Sequence, residues 1–196
     1  MQIAASAASK DLLRREALQR RGAIEAGVRN VFSARLAVEG LAIAQRVRAS
    51  AVSAFWPIRD EPDTLPLIAA LVAHGFAAAL PVTVSRAAAL VFRQWSPGDP
   101  TIPGAMNIPE PRPGAPAIEP DLLFVPLACF DRRGHRIGYG AGHYDRTLSA
   151  LRAARPTTAV GVAYGAAEAT EIPDEPHDER LDFILTEREL IDCRGG

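Results

Sequence analysis

The chain predicts a single-domain α/β protein with a layered sheet, largely parallel with some antiparallel pairing, and helices on both faces. Its 196 residues, 48% of them hydrophobic, are enough to bury one substantial core. Segments with helical spacing of apolar residues alternate along the chain with short apolar runs typical of strands. We assign residues 9–192 to one catalytic domain and expect residues 1–8 to be flexible.

Two long helices are predicted in the N-terminal part of the chain. They cover residues 9–28 and 33–48, because each begins at a potential capping serine, Ser9 or Ser33, and carries apolar residues at helical spacing. The elements predicted next are a strand at residues 52–56, a helix at 64–74 that ends at Gly75, and strands at 76–80 and 90–95.

The central strand is predicted around Pro126. Residues 122–125 and 127–130 are short apolar runs, as expected for a strand that is buried on both faces, and Pro126 lies near its exit. The elements predicted after it are a helix opened by Tyr144 and running over residues 147–154, strands at 159–164 and 182–185, and a last turn capped by Thr186 with Glu189.

A proline-rich segment separates the two halves of the chain. Eight prolines lie between residues 96 and 120, and proline removes the backbone donor that a central strand needs. We therefore predict a loop over this segment and no separate linker or domain.

A glycine-rich turn after the central strand indicates a phosphate-binding loop. Gly138, Gly140 and Gly142 alternate with other residues, so the backbone can adopt positive φ and no Cβ atoms hold a ligand away. Successive amides can then face an anion. The free amides and the dipole of a helix that opens at Tyr144 add to this attraction.

Charged residues around this turn support the same interpretation. Arg136 and Arg146 flank it as guanidinium donors, and Asp145 is an acid among these cations. An acid inside a phosphate site indicates a bridging Mg²⁺ ion, since carboxylate and phosphate otherwise repel each other. The glycine spacing differs from the dinucleotide fingerprint, and no lysine follows as in a Walker A loop, so both of those sites are disfavoured.

The lysine content singles out one further position. The chain has 22 lysine and arginine residues, and Lys10 is the only lysine. Lys10 and Arg14 are four residues apart, on one face of the predicted helix, where two cations could clamp a polyphosphate. An arginine-rich composition would by itself also leave few lysines, so both interpretations of Lys10 stay open at this point.

With these features the chain resembles the 5-formyltetrahydrofolate cyclo-ligase family. The resemblance extends over residues 10–187. It is carried by Lys10, Leu13 and Arg14, by the segment from Pro126 to Asp145, by residues 61–64, by Trp95 with residues 107–111, and by residues 161–164, 172–173 and 177–178.

The resemblance implies an enzyme that cyclises 5-formyltetrahydrofolate to 5,10-methenyltetrahydrofolate with ATP, releasing ADP and phosphate through a phosphorylated formyl group. It implies Lys10, Arg136 and Asp145 as catalytic residues, and Asp145 with Asp178 as Mg²⁺ ligands. The ATP-binding residues that it implies are Lys10, Arg14, Arg136, Ile137, Gly138, Tyr139, Gly140, Ala141, Gly142, His143, Tyr144 and Asp145. The folate-binding residues that it implies are Phe55, Glu61, Met106 and His143.

Two positions depart from the family pattern. Met106 stands where the family usually has an aromatic residue, and His143 replaces the first tyrosine of Tyr-Tyr-Asp. Both are expected to contact folate, so a related ATP-dependent ligase for another formyl or amide substrate stays an alternative. A nucleotide-binding regulatory module without turnover is a second one. Asp178 could also be a solvated member of an acidic run, and Phe55 a core residue.

Composition limits the partners. The net charge of −1 argues against a nucleic-acid or acidic-membrane surface. The sequence has no apolar run of transmembrane length, and residues 1–9 lack the features of a signal peptide. Cys129 and Cys193 form no metal or disulfide motif. We expect a cytoplasmic monomer that acts on small molecules.

Overall fold

The centre of the molecule is an eight-stranded sheet. The structure, a computed structural model, describes residues 2–195, with side chains from residue 8 onward. The helices are α1 (Gln2–Gly22), α2 (Ala26–Val47), α3 (Leu65–Ala73) and α4 (His143–Ala154). The strands are β1 (Ala51–Ser53), β2 (Ala77–Val82), β3 (Val91–Gln94), β4 (Thr101–Pro103), β5 (Pro109–Pro111), β6 (Ala117–Ile118), β7 (Leu122–Pro126), β8 (Cys129–Phe130), β9 (Arg136–Ile137), β10 (Thr158–Val162), β11 (Phe183–Leu185) and β12 (Leu190–Asp192).

The order of strands in the large sheet is β12-β11-β10-β7-β1-β2-β3-β6. The five strands from β11 to β2 pair in parallel, whereas β12, β3 and β6 add antiparallel pairs at the two sides. Strand β7 lies in the middle, and its first four residues are fully buried, as a strand covered on both faces requires. The predicted fold class is therefore confirmed.

Helices cover both faces of this sheet. On one face, Phe32 and Leu36 of α2 and Leu67 of α3 join Phe124 of β7 in the larger core cluster. On the other face, Leu148 of α4 packs in a second cluster with residues of β7, β10 and β11. The two clusters use alternate residues of β7, since neighbouring side chains in a strand point to opposite faces.

The predicted boundary between the first two helices is wrong. Helix α1 ends at Gly22 and α2 begins at Ala26, so the break precedes the predicted gap at residues 29–32. The Ser33 hydroxyl donates to the carbonyl oxygen of Asp63 at 2.9 Å and therefore holds a tertiary contact, not a helix cap. Ser9 is not a cap either, because α1 already begins at Gln2. The expected flexibility of residues 1–8 stays a prediction, and Met1 lies outside the described residues.

The chain after β7 does not continue as one strand. Pro126 ends β7 as predicted, but residues 129–130 form β8, which pairs antiparallel with β9 in a separate two-stranded sheet. The glycine-rich turn directly follows this hairpin. The second apolar run resembles β7 in composition, and composition does not report the change of direction after a proline.

Two other segments contain more regular structure than predicted. The proline-rich segment holds the β4–β5 hairpin and the short strand β6, which is at the edge of the large sheet, where proline-rich neighbours are tolerated. The last predicted turn is present, with the Thr186 hydroxyl accepting the Glu189 amide at 3.0 Å, but it connects β11 to the antiparallel strand β12.

Candidate functional site

The candidate site lies beyond the carboxyl ends of the parallel strands, where helix α1 meets the β8–β9 hairpin. Ligand sites of α/β sheets usually occupy this edge. A small buried cluster fixes α1 here: Leu13 and Ala17 pack with Cys129, Ile137 and Ile172. The helix face that carries Leu13 and Ala17 also carries the cations Lys10, Arg14 and Arg21, which therefore point toward the hairpin and the turn after it.

Each of these α1 cations has an oxygen partner. Arg14 Nε donates to the carbonyl oxygen of Gly138 at 2.7 Å, and an Arg21 terminal nitrogen donates to the Tyr139 hydroxyl at 2.7 Å. Lys10 Nζ lies 2.6 Å from Asp178 Oδ2 and 3.6 Å from Glu175 Oε2. Helix α1 is thus connected both to the glycine-rich turn and to the acidic segment near the C-terminal end.

Asp131 stabilises the β8–β9 hairpin through hydrogen bonds and an ion pair. Its fully buried carboxylate accepts the amides of Arg133 (3.0 Å), His135 (3.1 Å) and Ile172 (3.0 Å), and it pairs with the Arg133 guanidinium at 2.8 Å. Burial alone would raise the pKa of Asp131, but the Ile172 amide, the Arg133 side chain and the His135 amide together hold that pKa below its ordinary value. An ionised Asp131 therefore fixes the start of the loop.

The glycine-rich turn has the backbone that a phosphate cradle requires. Gly140 has φ 92° and Gly142 has φ 65°, a region that favours glycine. A Cβ atom on Gly140 would lie 4.0 Å from the Arg14 guanidinium, so the bare backbone there faces a cation. Helix α4 begins at His143, one residue before the predicted start, and no side chain caps its N-terminus. Its first amides are available to an anion.

Arg136 and Asp145 form a partly buried ion pair beside this turn. An Arg136 terminal nitrogen lies 2.7 Å from Asp145 Oδ1, which also accepts the Glu179 amide at 3.2 Å, and Arg136 donates to the Glu179 carbonyl oxygen as well. The Arg136 side chain is 4% exposed. Burial lowers the pKa of Arg136, whereas the charges of Asp145 and Asp178 oppose that shift.

Asp145 pairs with Arg136 and Asp178 pairs with Lys10, and the chemistry of both proposed metal ligands suits Mg²⁺. Carboxylate oxygens are the hard donors that this ion binds. Within residues 2–195, Asp145 Oδ2 accepts no hydrogen bond, so it is available to a cation. Ligand atoms of Glu175, His177 and Asp178 lie within 4.8 Å of one another, and Asp145 is not part of this group. Glu175 and His177 were not predicted as site residues, although they belong to the same acidic run as Asp178.

The predicted folate residues differ widely in their exposure. Glu61 is 8% exposed, whereas Met106 is 80% exposed and has φ 54°. Phe55 is 3% exposed and belongs to the larger core cluster, as in the alternative interpretation. His143 Nδ1 lies 3.1 Å from the Ala88 carbonyl oxygen, at the N-terminus of α4.

Glu61 has partners from two segments. Its Oε1 accepts the Tyr139 hydroxyl, and its Oε2 accepts the Ile58 amide at 3.0 Å. Burial raises the pKa of Glu61, and the Tyr139 hydroxyl, the Ile58 amide and the charges of Arg21 and Arg59 oppose this. Arg21 was not predicted as a site residue, although its spacing from Lys10 and Arg14 places all three on one helical face.

None of the helices described between residues 2 and 195 is long and apolar enough to cross a lipid bilayer.

Known proteins share both the sequence and the fold. A model of the 5-formyltetrahydrofolate cyclo-ligase family matches residues 6–187. A 5-formyltetrahydrofolate cyclo-ligase of Mycolicibacterium smegmatis is 33% identical over 191 residues, covering 93% of this chain and 96% of its own. One of Escherichia coli K12 is 33% identical over 145 residues, covering 71% of this chain and 79% of its own.

Two solved structures are also similar. An NMR structure of a 5,10-methenyltetrahydrofolate synthetase from Aquifex aeolicus has a TM-score of 0.79 and 26% identity, covering 95% of this chain and 94% of the other. A 5,10-methenyltetrahydrofolate synthetase from Mycoplasma pneumoniae has a TM-score of 0.72 and 21% identity, covering 94% of this chain and 99% of the other, and supports the likeness of fold.

Proposed function

The chain belongs to the 5-formyltetrahydrofolate cyclo-ligase family and is an enzyme of folate one-carbon metabolism that uses ATP as co-substrate, and we propose that its loop at residues 137–145 binds the ATP phosphates. The observation that carries this proposal is the positive-φ pair Gly140 and Gly142, which leads into the uncapped N-terminus of α4. Backbone amides exposed in this way attract phosphate without any side chain.

Three cations complete the phosphate site in this proposal. Lys10 and Arg14 come from α1, and Arg136 comes from β9. Lys10 and Arg136 pair with Asp178 and Asp145, so their charges are already held at the site. A triphosphate would compete with these carboxylates for the cations, and the compact lysine ammonium can turn toward it on its flexible stem.

Asp145 and Asp178 would hold the Mg²⁺ ion in this arrangement. When bound, the ion neutralises charge on the phosphates. The two carboxylates would then exchange their present cationic partners for the metal. The release of Lys10 from Asp178 and of Arg136 from Asp145 would allow both side chains to face ATP.

The proposed reaction requires the two substrates to be positioned and needs no nucleophile from the protein. The formyl oxygen attacks the γ-phosphorus and ADP leaves; N10 of the folate then attacks the activated formyl carbon, N10 loses its proton, and phosphate departs with the former formyl oxygen. The contribution of the chain is to hold these groups in line and to stabilise the charge that develops on the phosphoryl group. Arg136 suits that role, because a guanidinium in a dry site interacts strongly with an anion.

Folate would bind between Glu61, His143 and Met106. Glu61 would accept hydrogen bonds from the pterin, whose ring carries adjacent N–H groups. His143 stands at the first residue of α4, next to the phosphate loop, and so could contact the folate near its reacting formyl group. Met106 is exposed and could close over the ring as a flexible apolar side chain. Phe55 would support this region from the core.

We further propose that the enzyme works as a monomer in the cytoplasm. Its proposed site is formed by elements of one chain, so activity would not require a second copy. Gel filtration with light scattering, at the concentration used for assays, tests the first part of this proposal. A dimer as the only active species would contradict it.

The experiment for the proposed function is an absorbance assay of the methenyl-folate product. Purified protein is mixed with 5-formyltetrahydrofolate and Mg²⁺, and the absorbance is recorded before and after ATP is added. A rise that requires ATP is the expected result. Absence of a rise, with ATP binding confirmed by calorimetry, would contradict the proposed substrate.

A further inference from the structure

Three side chains from three different segments form a hydrogen-bonded chain at the site. Arg21 of α1 donates to the Tyr139 hydroxyl at 2.7 Å, and that hydroxyl donates to Glu61 Oε1. Tyr139 belongs to the proposed phosphate loop, whereas Glu61 follows β1 and is the proposed pterin acid. The chain therefore connects the two substrate regions.

The direction of these hydrogen bonds is fixed by their chemistry. Arginine has only donors, so the Tyr139 oxygen must be the acceptor of the first bond. The phenolic proton is then directed at the Glu61 carboxylate. Burial and the neighbouring Glu61 charge raise the pKa of Tyr139, so its hydroxyl remains a donor throughout the neutral range.

The surroundings of Glu61 make this donor important. Glu61 is 8% exposed, and burial raises its pKa, which favours the protonated form. The groups that oppose this rise in the Glu61 pKa are the Tyr139 hydroxyl, the Ile58 amide and the charges of Arg21 and Arg59. Together with the Ile58 amide, Tyr139 leaves one acceptor position on each carboxylate oxygen.

Unsatisfied polar atoms indicate that a polar ligand belongs here. Arg21 Nε and the Tyr144 hydroxyl are buried and have no hydrogen-bond partner within the described part of the chain. Buried donors without partners are costly, and they mark places where a water molecule or a ligand completes the network. A pterin ring on Glu61 would bring polar atoms within this network.

We propose that the side chain of Tyr139, oriented by Arg21, is a positioning residue that aims the Glu61 carboxylate at the pterin and keeps it ionised. This inference rests on the proposed function, since it assigns Glu61 to folate. In this proposal the two parts of Tyr139 have different roles. Its backbone is part of the loop that binds ATP, and its hydroxyl positions Glu61 for folate.

The test compares Tyr139→Phe with Tyr164→Phe. Tyr164 is the control, because its hydroxyl has no partner among the described residues, so the same substitution removes a phenol oxygen there without breaking a hydrogen bond. Calorimetry gives the Kd of 5-formyltetrahydrofolate without ATP, and steady-state assays give kcat and KM for each substrate between pH 5 and 8.

Tyr139→Phe should raise the folate Kd and KM about tenfold, because a hydrogen bond to a charged group is lost. KM for ATP and kcat should stay close to those of the parent. The acid limb of kcat/KM for folate should move to higher pH, because loss of the donor raises the Glu61 pKa further and the carboxylate protonates earlier. Tyr164→Phe should leave all of these unchanged.

Arg21 provides a second, independent variant. Arg21→Leu removes the group that orients the phenol and should weaken folate binding in the same direction, while Arg21→Lys should restore part of it. Unchanged folate Kd and acid limb in Tyr139→Phe would overturn the proposal, as would a rise in KM for ATP alone. If the parent neither binds nor turns over folate, the proposed function itself fails, which is a different outcome.

Discussion

The ATP side and the folate side of the site are built differently. On the ATP side, Lys10 pairs with Asp178, Arg14 donates to the carbonyl oxygen of Gly138, and Arg136 pairs with Asp145. In the turn beside them, Gly140 and Gly142 adopt positive φ. On the folate side, Glu61 is buried and hydrogen-bonded, whereas Met106 is 80% exposed. The proposed ATP residues are thus held by polar contacts, whereas the proposed folate residues range from buried to exposed.

This difference follows from the chemistry of the two ligands. A triphosphate carries several charges, and Lys10 and Arg136, which bind it in the proposed complex, are held at the site by Asp178 and Asp145. A pterin ring is flat and partly apolar, so a few directed hydrogen bonds and an adaptable side chain can be sufficient. If the two sides bind different substrates, a substitution on one side should change the kinetics for the substrate assigned to that side.

The largest effect is expected from Asp145→Asn. The variant keeps the shape of the side chain and an acceptor for Arg136, but it removes the charge that would hold Mg²⁺. We expect kcat to fall about a hundredfold or more, in line with the loss of a charged group from a phosphoryl-transfer site. The measurement is turnover as a function of Mg²⁺ concentration.

Asp192→Asn is the matched control, since Asp192, the last residue of β12, also pairs with an arginine, Arg194. It should retain parent activity. Parent-like Mg²⁺ dependence in Asp145→Asn would contradict the assignment of Asp145 to the metal.

The next effect is a loss of stability when Asp131, which stabilises the β8–β9 hairpin on the ATP side, is replaced. Asp131→Asn should destabilise the protein by about 2 kcal/mol, because an ionised acceptor for three amides becomes a neutral side chain that also carries donors. The folded-state pKa of Asp131 is depressed, so its contribution is present above the unfolded pKa of about 4 and is lost as pH falls through the folded value.

Urea unfolding of the parent and of Asp131→Asn at pH 7 and at pH values below 4 measures this. The difference in the free energy of unfolding should shrink at acid pH. Asp174→Asn, at an exposed position, should cost little at either pH. A constant difference across the pH range would refute the electrostatic account of Asp131.

Lys10→Ala should raise KM for ATP about tenfold, with a much smaller effect on KM for folate, because one charge-assisted contact to a phosphate is lost. Arg15→Ala on the same helix is the control, since Arg15 is exposed and makes no ion pair among the described residues. Steady-state kinetics with each substrate varied in turn give the two KM values. Equal increases in KM for ATP and in KM for folate would show that Lys10 affects the binding of both substrates, and would contradict its assignment to ATP.

The smallest effect is expected from Met106→Phe. An aromatic ring at this exposed position can stack on a pterin, so KM for folate should fall a few-fold while KM for ATP stays constant. Val84→Phe adds a ring at another exposed position and should change neither value. No change in Met106→Phe would place Met106 outside the folate site.

The two sides also differed in how well the sequence predicted them. The glycine turn could be predicted because its residues are contiguous and glycine permits positive φ, which Gly140 and Gly142 adopt although Gly138 does not. Lys10 and Arg14 are likewise related by helical spacing. Contacts such as Arg21 with Tyr139 join distant segments, and no local pattern determines them.

The errors in the fold have the same cause. Ser33 has the sequence signature of a cap, but its hydroxyl finds Asp63 across the fold instead. The hairpin β8–β9 depends on Asp131, which binds Ile172 far along the chain. The parallel centre of the large sheet was predictable because its strands are mostly apolar and helices lie between several of them along the chain.

Crossed calorimetry tests the central claim, that one set of residues holds ATP and a separate set holds folate. The parent, Lys10→Ala and Glu61→Gln are each titrated with a non-hydrolysable ATP analogue plus Mg²⁺ and, separately, with 5-formyltetrahydrofolate. Lys10→Ala should weaken the ATP analogue about tenfold and leave folate binding unchanged, and Glu61→Gln should do the reverse. If both variants weaken the same ligand, or if each weakens the ligand assigned to the other, the division of the site is wrong.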